Sequence, residues 1–255
     1  MKIDINSDIG EGFGRWRLCD DAALMALISS ANVACGFHAG DAVIMTDMAA
    51  QARARGVALG AHVGLPDLLG FGRVPMKIDP HDMRKHALYQ LGALSAIAKA
   101  EGYKVTHAGT HGVFGMMSRE TPEYLQLIFD AFKAYDPDII VPGEPGSPWQ
   151  AYARKIGLRT VGRIYADRAY EEDGSLVSRK KQGAVINDLD QIAARASQFL
   201  NDGTVTAITG KRIKLDAKSI LVHSDTPGSV EIAKTLRDTI ERGGGQVTPL
   251  TELVE

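Results

Sequence analysis

The feature that most constrains this chain is an alternation. Short apolar, β-branched runs recur along its length, and a longer amphipathic stretch separates each from the next. The runs cover residues 2–8, 32–35, 58–63, 104–107, 138–141, 159–165 and 219–223. A strand that is apolar on both faces belongs in a parallel sheet, because crossover helices cover it from both sides. Helical patterns occupy residues 20–30, 41–55, 80–101, 121–135, 147–156, 189–201 and 227–242. Several carry their own boundaries. Asp41 precedes one helix and Gly56 follows it. Asp79-Pro80 opens the next and Gly102 closes it, and Thr226-Pro227 and Gly243 bracket the last. About seven βα units result. No Pro/Ser-rich linker or shift in composition divides them, so residues 1–255 are expected to form a single domain. An open doubly wound sheet shares this pattern, but the length of 255 residues and the number of units favour a closed α/β barrel.

In such a fold ligands bind at the carboxyl ends of the strands. The first run leads into Asn6, Asp8 and Glu11, and the second into His38 and Asp41. The third ends at His62, and the fourth gives His107 and His111. The sixth ends at Asp167 and Arg168, and the last at His223, Ser224 and Asp225. Five of the seven histidines therefore lie at or just past strand ends, while His81 and His86 fall on a helix and are expected at the surface. Taken singly, each has a structural reading: Asp41 as a helix cap, or one strand-end histidine satisfied by its neighbours. Together they converge on one barrel mouth, where they would repel and desolvate one another unless a function used them. A functional site is expected there. Glycines flank these residues, among them Gly10, Gly12, Gly60, Gly64 and Gly109, and allow backbone to approach a ligand closely or to turn tightly.

Composition excludes other classes. A net charge of −2 favours neither nucleic acid nor an anionic membrane surface. Two cysteines, Cys19 and Cys35, make no disulfide framework, and no basic start precedes an apolar stretch, so a cytoplasmic protein is expected. No apolar run reaches the roughly 20 residues needed to span a bilayer. The chain has no P-loop, since Gly210-Lys211 is followed by Arg212. Its Gly10-Glu11-Gly12-Phe13-Gly14-Arg15 has arginine where a dinucleotide fingerprint needs its third glycine. Zinc-protease and nucleophile-elbow motifs are also missing. His107-x-x-x-His111, joined by Asp8 or His62, could hold a divalent metal in a hydrolase barrel, but Gly109 interrupts the segment and no metal is expected.

Five longer motifs follow in order: Asn6-Ser7-Asp8-Ile9-Gly10-Glu11-Gly12-Phe13-Gly14, Ser30 through Asp41 with Cys35-Gly36-Phe37-His38-Ala39-Gly40-Asp41, Gly60-Ala61-His62-Val63-Gly64 through Arg73, Ala166-Asp167-Arg168-Ala169-Tyr170, and His223-Ser224-Asp225-Thr226-Pro227-Gly228. The chain resembles the LamB/YcsF family, the A subunits of bacterial 5-oxoprolinase, nearly from end to end. It departs from the family at Gly109, where a lysine is usual, at Val63 and at Ser224. The resemblance implies a seven-stranded (β/α) barrel of the glycoside hydrolase/deacetylase type. It also implies action with two partner subunits, B and C, on a small lactam, with ATP as cofactor, and leaves open whether this chain binds the ATP or mainly the partners do. A homo-oligomer is left open.

The implied reaction converts 5-oxoproline, ATP and water to glutamate, ADP and phosphate. Phosphorylating the lactam oxygen gives an activated imidate that water can attack, which needs a base and a stabiliser of negative charge. Asp8 or Glu11 is the candidate base, with His38 and His62 shuttling protons. His111 and Arg168 would stabilise the anionic intermediate. Arg73 or Arg168 would pair the substrate carboxylate, and Asp167 and Asp41 would orient these groups. Asn6 and Asn32 would hold the lactam amide, and Tyr170 and His223 complete the substrate-binding set. The charged segment 170–181 is expected to be a lid, a docking face or a solvated loop. Two rival readings stand beside this one: a metal-dependent amidohydrolase or deacetylase using Asp8, His62, His107 and His111, and a non-catalytic regulatory barrel.

Overall fold

The computed structural model describes residues 1–254, the side chains of residues 119 and 120 excepted. Its first half runs β1 (Lys2–Ile9), α1 (Asp21–Met25), β2 (Ser30–Ala34), α2 (Ala42–Arg55), β3 (Ala58–Val63), α3 (Pro80–Ala100), β4 (Val105–Thr110), α4 (Gly112–Glu120) and α5 (Pro122–Tyr135). The second half runs β5 (Ile140–Gly143), α6 (Pro148–Lys155), β6 (Arg159–Tyr165), α7 (Leu189–Asp202), β7 (Thr204–Thr206), β8 (Arg212–Lys214), β9 (Ser219–Val222), α8 (Ser229–Arg242) and β10 (Gln246–Val247), with a final 3₁₀ turn at Leu250–Glu252.

Strands β1 to β6 and β9 pair in parallel, and β9 returns to β1, with Asp4 opposite Ser219 and Ser7 opposite Val222. Seven strands thus close into a barrel, as the alternation of runs predicts. The short β10 adds to the lower edge of β1, with Lys2 opposite Gln246.

The first strand shows how sequence places side chains. In Lys2-Ile3-Asp4-Ile5-Asn6-Ser7-Asp8-Ile9 the isoleucines are buried in the apolar layer between barrel and helices, with Leu24, Leu91 and Leu236. Successive residues of a strand face opposite sides, so Asp4, Asn6 and Asp8 share the inner face. Inside the barrel they find polar partners. Asp4 accepts from Ser29 Oγ at 2.7 Å and Ser219 Oγ at 2.6 Å. Asn32 Nδ2 donates to Asn6 Oδ1 and, at 2.8 Å, to Asp8 Oδ1. His107 of β4 reaches Asn32 Oδ1 of β2, with a separation of 3.1 Å. The strand between them leaves room, because a Cβ on Gly60 would stand 2.1 Å from the His107 ring. The barrel lumen is therefore a hydrogen-bonded polar core inside an apolar shell.

Helix boundaries follow the expected caps. Asp41 accepts from Val43 N and Ile44 N, and Gly56 ends α2 at φ 68°. Asp79 accepts from His81 N ahead of Pro80. Three parts differ from expectation. The first helix is only five residues long, since Ser30 already belongs to β2. Helix α4 and the β7–β8 hairpin are additional; both are too short for a hydrophobic period to show. Segment 170–181 is folded: Tyr170 bridges Leu176, Ala169 packs on Val177 and Ala184, and the Arg168 guanidinium donates to Val177 O and Ala184 O. Among the described residues no helix is long and apolar enough to cross a membrane.

Candidate active site

The carboxyl ends of β1 to β4 and the loops after them bring Asp8, Glu11, His38, His62 and His111 into one buried cluster. Glu11 Oε1 lies 3.1 Å from His38 Nε2 and 3.3 Å from His111 Nδ1, and Glu11 Oε2 accepts from Ser224 Oγ at 2.7 Å. Serine at 224, where the resemblance leads one to expect glycine, thus orients the carboxylate. His62 Nε2 stands between His111 Nδ1, at 3.1 Å, and Asp8 Oδ1, at 3.5 Å. The rings of His38 and His111 stack at 3.8 Å and 2°.

The tautomers follow from the partners. His111 Nε2 lies 2.8 Å from the carbonyl oxygen of Phe71, which can only accept, so this nitrogen carries a proton. His38 Nδ1 and His62 Nδ1 are buried without partners, so their protons sit on Nε2, facing Glu11 and the Asp8/His111 pair. Phe71 is the one described non-glycine residue at positive φ, 54°, an unfavourable backbone that aims its carbonyl at His111. Its loop, between β3 and α3, crosses the mouth and is tied to the far side by Arg73 Nη2 and Asp225 Oδ2 at 2.6 Å.

Burial sets the protonation. It pushes His38 down to about 4, helped by the nearby His111, and takes His62 well below its usual range. Both rings stay neutral at pH 7. Burial and the Glu11 charge push Asp8 up. Burial opposes ionisation of Glu11 too, but the His111 and His38 side chains against its oxygens outweigh it and hold the carboxyl well below its usual range. The cluster therefore contains a raised carboxyl, Asp8, and a depressed one, Glu11, beside the neutral rings of His38 and His62, which is the separation that general acid–base chemistry uses.

The donor set also bears on metals. Glu11 Oε1, His38 Nε2, His62 Nε2 and His111 Nδ1 lie within 4.8 Å of one another. Glutamate oxygen and imidazole nitrogen suit a zinc-like ion. Yet imidazole lone pairs lie in the ring planes, and one ion cannot lie in the planes of two stacked parallel rings. Either His38 or His111 must turn before the four can share a cation. The rival metal set fares differently: His107 is buried below, on Asn32, and Glu11 and His38 stand where that set had His107.

A second group forms on the β6 and β9 side. His223 Nδ1 pairs with Asp167, 2.9 Å to Oδ2, and Thr226 Oγ1 donates to the same oxygen at 2.6 Å. Burial pushes His223 down, but Asp167 outweighs it and raises it. Tyr165 stacks on His223 at 5.3 Å and donates its hydroxyl proton to Glu144 Oε1 at 2.7 Å.

Several groups expected at the site stand elsewhere. Arg168 turns away into its own loop, and Asp167 pairs with His223 rather than with it. Asp41 is committed to the α2 N-terminus and to Gly14 N at 2.7 Å. The Tyr170 hydroxyl is buried and accepts from Tyr165 N at 2.7 Å. Asn6 and Asn32 lie beneath Asp8 and hold it, rather than lining the mouth. Asp4, Glu144, Arg163 and Tyr165 escape sequence reasoning. Each lies in a strand or at its end, and only strict alternation within the strand reveals that three of them face the lumen.

A closed seven-stranded parallel barrel ringed by helices, with a buried acid–imidazole cluster at the carboxyl ends of its strands, defines the class: an α/β barrel. Within that class the chain belongs to the LamB/YcsF family, whose model matches residues 3–255. It is 52% identical over 254 residues to a protein of Bradyrhizobium diazoefficiens that bears the name of a 5-oxoprolinase A subunit, with all of both chains covered. A protein of Pectobacterium atrosepticum that bears the same subunit name is 49% identical, with 100% of this chain and 99% of that one covered. The crystal structure of the Lactam Utilization Protein of Thermus thermophilus superposes with a TM-score of 0.92 at 38% identity, covering 97% of this chain and 99% of that one.

Proposed function

We propose that this chain is the A subunit of a 5-oxoprolinase and opens the ring of 5-oxoproline, or of a closely related lactam, with partner subunits B and C and at the expense of ATP. The observation that carries this reading is the buried Asp8/Glu11/His38/His62/His111 centre, in a chain alike over its full length to proteins named for that activity.

An unstrained lactam is a weak electrophile. ATP transfers its γ-phosphoryl group to the lactam oxygen, and ADP leaves. Nothing in the sequence resembles a nucleotide loop, so that step belongs with the partners, and the activated ring reaches this mouth. Asp8, raised by burial and held by Asn32, takes a proton from water as the oxygen adds to the ring carbon. The ring nitrogen gains a proton through His62 and His111, the carbon–nitrogen bond breaks, and an acyl phosphate remains. A second water releases phosphate and leaves glutamate. His111 and the backbone around the mouth face the negative charge that develops.

The test is glutamate release from 5-oxoproline by the purified chain, alone and mixed with subunits B and C. Release is expected only in the mixture with ATP, and Asp8→Asn is expected to abolish it. An inactive mixture containing a folded chain would overturn the reading. Release by the chain alone without ATP would favour the amidohydrolase reading instead.

A further inference from the structure

Arg163 lies on the inner face of β6, 9% exposed. Its Nη2 donates to the Tyr165 hydroxyl at 3.2 Å, and its guanidinium carbon stands 5.4 Å from the Tyr165 ring centre. Its Nε is buried and has no partner, and no carboxylate among the described residues lies within 4.0 Å of it. A buried guanidinium normally has a carboxylate or a full set of acceptors, because an unpaired buried charge is costly. Arg163 nevertheless keeps its charge. Burial opposes it, but Tyr165, Glu144 and Asp8 outweigh the burial and raise it.

Its position is informative. Arg163 is in register with Ser219, which is in register with Asp4 of β1, so its side chain stands inside the lumen, with its guanidinium against Tyr165; its charge acts on Asp8, His62 and His107 from there. The two arginines expected to hold a substrate carboxylate are engaged already, Arg73 with Asp225 and Arg168 with backbone carbonyls. Tyr165 and His223, stacked on each other, stand on the same side of the mouth as Arg163.

We propose that Arg163 is the carboxylate anchor of the site: its unfilled guanidinium edge receives the carboxylate of the ligand in a charge-assisted fork. The identity of that ligand as a lactam carboxylate rests on the function proposed above. The anchor fixes the carboxylate on the β6 side and turns the ring carbonyl towards Asp8 and His62. The site then selects lactams that carry a carboxylate next to the ring nitrogen over the bare ring.

The test is calorimetric binding of 5-oxoproline, of 2-pyrrolidinone (the same ring without the carboxylate) and of succinate to the chain and to Arg163→Met and Arg163→Lys. The chain is expected to bind 5-oxoproline on the order of 100-fold more tightly than 2-pyrrolidinone. Arg163→Met should bind both equally, and Arg163→Lys, which keeps the charge but not the fork, should fall between. Arg163→Lys keeps the charge that Glu144 and Asp8 face, so its ligand-free Tm should stay close to that of the parent, and its weakened preference then reports the lost fork rather than a lost fold. If Arg163→Met keeps the preference for the carboxylate, the anchor is wrong while the lactam reading stands. If neither lactam binds but succinate does, dependent on Arg163, the anchor stands and the lactam reading falls. If the parent chain binds none of the three, the anchor is overturned.

Discussion

At the scale of single residues, the site depends on side chains that are not there. Gly60 has no Cβ, and the His107 ring occupies the space where one would be, at 2.1 Å. That vacancy lets β4 reach β2 across β3 and completes the chain from His107 through Asn32 to Asp8. Gly60→Ala should therefore cost about 1–3 kcal/mol, the usual penalty for overpacking a filled core, measured by urea denaturation. A cost near zero would show that the His107 ring moves aside freely. Gly64 plays the same part for His38, whose Nδ1 would lie 2.3 Å from a Cβ there. At Gly109 a Cβ would meet nothing within 4 Å, so this glycine, unlike Gly60 and Gly64, leaves room for a side chain.

At the scale of elements, β1 illustrates what was legible and what was not. Its isoleucines announce a buried strand, and Asp8 and Glu11 past its middle announce a site. Asp4 does not stand out, because an acid at a strand start reads as a solvent-facing end. In the barrel it is fully buried at the lower end of the lumen, and burial pushes its carboxyl up to about 6, against the hydrogen bonds from Ser219 and Ser29. A raised carboxyl binds its proton more tightly in the folded state. Its contribution to stability is complete below about pH 4 and is lost as pH rises through about 6, by about 3 kcal/mol for a shift of this size. Asp4→Asn lacks that titration, so its stability relative to the parent should rise by about that amount between pH 4 and pH 7. Parallel pH profiles would contradict it. Arg163 and Tyr165 were hidden for a related reason: inside a run such as Arg159 to Tyr165, polar residues look like interruptions of an apolar strand, and only the closed barrel turns them into a lining. Asp41 carries two readings in the sequence, helix cap and ligand group, and the free N–H groups of α2 claim it as the cap. The loop between β3 and α3 makes its own prediction. Arg73 is over a third exposed, so Arg73→Ala should change stability by less than about 1 kcal/mol while raising KM, because the loop over the mouth loses its tie to Asp225. An unchanged KM would show that the tie is incidental.

At the scale of the whole molecule, the barrel divides the work between its two sides. Strands β1 to β4 carry the acid–imidazole centre, and β5, β6 and β9 carry Glu144, Arg163, Tyr165 and the Asp167–His223 pair. The number of units and their alternation were readable from periodicity alone, since each parallel strand and its covering helix leave a local pattern. The pairing of the two sides was not, because it depends on contacts between residues far apart in the chain, such as Ser224 and Glu11, 213 positions apart. The central proposal is that the lactam ring opens at the cluster in which Glu11 holds His38 and His111. It is tested most sharply by the rate of glutamate release from 5-oxoproline, with partner subunits and ATP, by the chain and by Glu11→Gln, with the fold of each checked by circular dichroism. Glutamine keeps the size of the side chain but removes the charge that His38 and His111 face. Turnover should fall on the order of 10³-fold with the fold intact. A Glu11→Gln chain that turns over within about threefold of the parent would place the ring opening elsewhere.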